Sequence, residues 1–182
     1  MRQTSMFGLA VTVVALGTAG CTSTGPYGYA RTYAWVDGER EAVGAARELD
    51  PVMAERHPGS WKTTPVQLFA VVLSREPTVG GLTVLNVSLR KLEARNLCAD
   101  ESASSCRVTV TAKSFATLQV LVKLRSDDEN GPRKVAPGSL LRVVGRLEEA
   151  GGDREPVVRA SWYRHWPSDE YVTTAARSHM RR

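Results

Sequence analysis

The chain has 182 residues, 42% hydrophobic and 24% charged, with 24 Lys and Arg against 19 Asp and Glu. Those values suit one globular domain plus a tether and exclude a highly charged, disordered chain. The basic excess is small and dispersed, with one cluster, RSHMRR, at the end; this argues for solubility or contact with anionic surfaces and against a nucleic-acid patch.

The first element is the apolar run MFGLAVTVVALGTA, from Met6 to Ala19, with Arg2 before it. It is shorter than the about 20 apolar residues a bilayer span needs and has the length of a secretory h-region. Thr18, Ala19 and Gly20 lead directly to Cys21. The arrangement resembles the lipobox of bacterial lipoproteins, with Thr18 where that family usually has Leu. The resemblance implies cleavage before Cys21, a lipidated Cys21 and a membrane anchor without a transmembrane helix. Thr22 after it implies sorting to the outer membrane, with the domain facing the periplasm. Residues 1–20 are then the signal peptide and 21–36 a flexible lipidated tether containing Gly25, Pro26 and Gly28.

Residues 37–60 read as a helical lead-in. Asp37 can cap it, Glu39 and Glu41 sit in the first turn, and Ala42, Val43, Ala46 and Leu49 form an apolar stripe. Pro51 ends it or starts another turn, and Pro58-Gly59 stops the segment.

From Trp61 the period changes to two. Val66, Leu68, Ala70 and Val72 share one face. Leu85, Val87 and Leu89 share the next, opposite Asn86, Ser88 and Arg90. Cys98 and Cys106 then bracket the polar stretch ADESASS. An even pair in an oxidising compartment is expected to be a disulfide; no His is near, and the spacing is not C-x-x-C. Val108 and Val110 alternate with Arg107, Thr109 and Thr111, and Leu118, Val120, Val122 and Leu124 follow. A polar loop, SDDENGPRKVAPG, leads to SLLRVVGRLEE, where Gly145 marks a bulge or sharp bend. In the last strand, VVRASWYRHWP, alternation puts Val158, Ala160 and Trp162 inside. It puts Arg159, Ser161, Tyr163 and His165 outside. Residues 168–182 are a polar tail.

Successive alternating strands predict a mainly β fold over 61–167, a small barrel of five to six strands with a short N-terminal helix. VAPGSLLRVVGRLEE resembles the fourth strand of an OB-fold and TPVQLFAVVLS the first. The strands joined through Cys98 and Cys106 would be the second and third. This resemblance, of pattern rather than motif, covers residues 64–166. A lipobox with such a domain is also similar to the Slp-type outer-membrane lipoproteins.

No catalytic motif of the H-E-x-x-H, G-x-S-x-G, S-x-x-K or Walker A kind occurs. His57, His165 and His179 read as surface residues, and the acidic runs lack Ca²⁺-ligand spacing. The expectation is therefore no enzyme, no cofactor and no metal. Arg159, Tyr163, His165 and Trp166 form the candidate binding surface, for an envelope protein or for envelope material. A carbohydrate- or peptidoglycan-binding module and an oligonucleotide-binding domain are the alternatives. Nucleic acid is not expected as a partner, because the envelope holds little of it and the exposed faces of the second and third strands show Asn86, Ser88, Arg90, Arg107 and Thr109 without a stacking ring.

Overall fold

In the computed structural model, which describes residues 29–30, 33–77, 80–97, 108–149 and 155–180, alternation produces five main strands. They are β1 (Val66–Pro77), β2 (Thr83–Arg90), β3 (Thr117–Val122), β4 (Leu140–Glu149) and β5 (Val157–Trp166). β1 pairs antiparallel with both β2 and β4, β2 pairs antiparallel with β3, and β5 lies parallel to β3 and antiparallel to β4. The ring β1-β2-β3-β5-β4 therefore closes on itself, in the strand order of an OB barrel. One extra strand, Arg47–Glu48, adds in parallel to the start of β1.

β1 can serve two neighbours because it bends. Val66 to Val71 face β4, Phe69 to Pro77 face β2, and the register with β2 slips at Leu73. A bulge of this kind sharpens the twist that closing a small barrel needs. The inward positions fill the interior: Leu68, Ala70, Val72, Leu85, Val87, Leu118, Val120, Leu141, Val143 and Val158 are all buried in one cluster. Each branched aliphatic among them contributes roughly 1.5–3 kcal/mol by leaving water.

Three expectations need correction. The third barrel strand is Thr117–Val122, not CRVTVTA. Val108–Val110 is too short to bridge β2 and β5, and it pairs in parallel with Tyr171–Thr173 from the tail. The stripe from Ala42 to Leu49 does not lie on one helix. Gly44, at φ 41°, ends a first short helix at Val43. Pro51 then starts a second, Pro51–Arg56, whose cap is Asp50, accepting the Met53 N–H at 3.1 Å. Asp37 caps nothing, because Gly38 occupies the cap position.

The third correction is the parity of β5. Gly145 does mark a bulge: Val144 faces Trp162 and Gly145 faces Ala160, so Ser161 has no opposite number. A Cβ on Gly145 would overlap the carbonyl of Arg159. The extra residue reverses the side on which everything after it points. Val158 is inside as expected, but beyond Ser161 it is Tyr163 that is buried and Trp162 that is half-exposed. The signal segment, Cys21, Cys98 and Cys106 lie outside the described residues.

Candidate functional site

The four expected surface residues of β5 do not form one surface. Arg159 is exposed and bound to Glu148. Trp166 is buried against Phe69, ring centroids 6.2 Å apart. The Tyr163 hydroxyl donates to Asp128 at 2.6 Å and accepts the backbone N–H of Arg125 at 2.8 Å. Burial, together with the Asp128 carboxylate, pushes the Tyr163 phenol up to about 12. His165 Nδ1 meets Asp128 Oδ1 at 2.8 Å, and its Nε2 meets Ser139 Oγ at 3.1 Å.

Ser139, His165 and Asp128 thus have the connectivity of a nucleophile, base and acid. Their surroundings give them a different role. Ser139 is 3% exposed, and its Oγ also accepts the Ala136 N–H. The N–H groups of Gly138 and Ser139 donate to the Val72 and Ala136 carbonyls, so neither is free for an oxyanion. The cluster ties the short helix Ser126–Asn130 to the barrel end. Burial pushes the Asp128 carboxyl up, but hydrogen bonds from Tyr163, Arg125 and His165 outweigh it and hold the group below the usual carboxylate range.

A second charged cluster lies outside the barrel wall. Glu39 is fully buried. It accepts from the Tyr33 hydroxyl at 2.5 Å, the Val36 N–H at 3.0 Å, Arg142 Nη1 at 2.7 Å and Arg164 Nη1 at 2.9 Å. The Arg142 guanidinium lies 4.5 Å from the Trp35 ring centre and 5.1 Å from that of Phe69. Residues 33–39 are therefore a strap held across β1, β4 and β5. The sequence signal was a lone arginine flanked by apolar residues in SLLRVVG.

Beside the strap is a groove of about 580 Å³, between residues 50–52 and the outer side of β1 and β2. Its size falls in the range of small-ligand sites. Phe69, Arg90, Lys91, Phe115 and Arg142 line it. Arg90 is fixed by the carbonyls of Thr111 and Ala112. Lys91 Nζ sits 5.0 Å from the centre of the Phe115 ring, which is 43% exposed. Glu48 and Asp50 bring two carboxylates to the same groove; that of Asp50 is committed to its helix cap. No cluster of three or more His, Cys, Asp or Glu could hold a metal among the described residues.

No protein-family model matches the chain, and no curated protein matches it. Among solved structures it is similar to the protein priB from Ralstonia solanacearum, at 22% identity over 56% of this chain and 97% of that one, with a TM-score of 0.31. It is also similar to a deletion mutant of the single-stranded DNA binding protein from Thermus aquaticus, at 23% identity over 56% of this chain, again with a TM-score of 0.31. The match spans about half of that protein's length, 49%. At these scores the fold assignment rests on the strand order. The expectation that nucleic acid is no partner is nonetheless corrected. The correction is to its premise: Phe115, just ahead of β3 and with its N–H on the Leu89 carbonyl at the end of β2, is an exposed ring where none was expected.

Proposed function

We propose that this OB-type barrel is a non-catalytic binding domain whose groove takes a single-stranded oligonucleotide. The observation that carries the reading is the pairing of an exposed Lys91 with an exposed Phe115 at the groove. A ring offers a face on which any base stacks, and the exposed Lys91 beside it meets a phosphate. The burial of Ser139 supports a binding role over hydrolysis. The test is fluorescence anisotropy of a labelled oligothymidine, repeated over a range of salt concentrations. Phe115→Ala should weaken binding by about 1–3 kcal/mol. Lys91→Ala should flatten the plot of log K against log salt by roughly 0.7. An unmutated protein that leaves the label free at low salt would end the reading.

The segment Met6–Ala19 followed by Cys21 favours a second reading for location and ligand. In it Cys21 carries lipid, the barrel faces the periplasm from the outer membrane, and the groove meets an anionic envelope glycan or a protein partner. Mass spectrometry of the membrane fraction should find Cys21 acylated, and an unmodified Cys21 there would contradict the anchor. Retention on insoluble peptidoglycan, with no affinity for oligothymidine, would favour this ligand over the first.

A further inference from the structure

β3 and β5 pair only where Gln119 to Leu121 face Val157 to Arg159. Beyond that the two strands part. β5 stays with β4 through the bulge at Ser161, while the chain after β3 turns off into the helix Ser126–Asn130. The Tyr163 hydroxyl, accepting the Arg125 N–H, bridges the parting. A gap of about 220 Å³ remains, lined by Lys123, Arg125, Ser161, Trp162 and Tyr163.

The bulge gives this gap its chemistry. Without the extra residue Trp162 would point into the barrel; with it the indole stands half-exposed at the gap. Lys123 is exposed beside it. The Arg125 guanidinium spends Nε on Asp128 and stacks 4.6 Å from the Tyr163 ring centre, yet its side chain is 63% exposed. A large ring beside two cations repeats the composition of the groove at Phe115, on the other side of β3.

We infer that this gap is a second contact point for the oligonucleotide, with one base on Trp162 and phosphate oxygens on Lys123 and Arg125. The inference rests on the groove reading, because it needs the same ligand at both places. Phe115 and Lys123 flank β3 at its two ends, and at about 3.3 Å per residue the strand separates them by roughly 25 Å. An oligomer near the short end of the range that OB barrels occupy, about 4–16 nucleotides, cannot reach both points, whereas one near the long end can.

The experiment compares oligothymidines of about 3 and about 12 nucleotides, which bracket most of that range, on the full-length protein. The unmutated protein should bind the longer one at least about 5-fold more tightly, as expected when one more base is stacked. Trp162→Ala should remove that gain, a loss of about 5- to 100-fold on the long oligomer with none on the short. Trp162→Phe should keep most of it. Lys123→Ala, at an exposed position, should lower the salt slope for the long oligomer alone, by roughly 0.7. If Trp162→Ala leaves the long oligomer's affinity unchanged, or weakens both lengths equally, the second contact point is wrong and the groove stands. If neither length binds the unmutated protein, the groove reading falls and takes this one with it.

Discussion

Glu39→Ala is expected to destabilise the protein by about 3–5 kcal/mol, the range seen when one partner is removed from a buried ion pair. Arg142 is 4% exposed and Arg164 also points at the same carboxylate. Removing that carboxylate leaves a buried guanidinium without its counter-charge. It also frees the Tyr33 hydroxyl and the Val36 N–H, so the strap loses its hold on the wall. Urea unfolding measures the loss as a fall in midpoint. A fall equivalent to less than about 1 kcal/mol, the worth of a surface pair, would mean that the strap is not closed in solution.

The same cluster sets the response to acid. Burial pushes the Glu39 carboxyl up, but Tyr33, the Val36 N–H, Arg142 and Arg164 outweigh it and hold the group below the usual carboxylate range. Asp128 is shifted in the same direction. A carboxyl with a lower pKa in the folded state contributes stability that is fully present above the unfolded value, about 4. That stability is lost as pH falls through the folded values. The midpoint should therefore drop on acidification below about pH 4, and less steeply in Glu39→Ala.

Tyr163→Ala should cost about 3–5 kcal/mol, while Trp162→Ala should change stability far less. Simple alternation along VVRASWYRHW gives the opposite order. Tyr163 fills the barrel end, and its hydroxyl satisfies Asp128 and the Arg125 N–H together. Tyr163→Phe isolates the polar part and should cost about 1–3 kcal/mol for the groups left unpaired. Thermal unfolding of the three variants gives the order directly. A tolerated Tyr163→Ala with a damaging Trp162→Ala would mean that Ser161 is paired and no bulge exists.

The barrel was legible because its inward faces repeat every second residue over whole strands, from Val66 to Val72 and from Leu118 to Val122. Gly145 was legible as a bulge from its place in an apolar strand. Its consequence was not, because the unpaired residue lies on the partner strand, and nothing in ASWYR marks Ser161 as unpaired. The charged clusters were hidden for a related reason. Glu39 reads as an ordinary first-turn acid, and its partner Arg142 is 103 positions away. Asp128 sits in a run of acids whose neighbours give no sign that it alone turns inward. The groove depends on the same kind of distance: Arg90 meets Phe69 through the pairing of β1 with β2, Phe115 joins them by its bond to the Leu89 carbonyl, and residues 50–52 follow Leu49, whose N–H donates to the Gln67 carbonyl.

The claim that this groove is where the ligand binds has one direct measurement. Backbone amide shifts of ¹⁵N-labelled protein are followed by NMR as a single-stranded oligothymidine is added. The amides of Arg90, Lys91, Leu92 and Phe115 should shift together and saturate, while those of the Tyr171–Thr173 strand stay in place. Saturating shifts confined to other faces of the barrel, with Arg90, Lys91 and Phe115 unmoved, would contradict it.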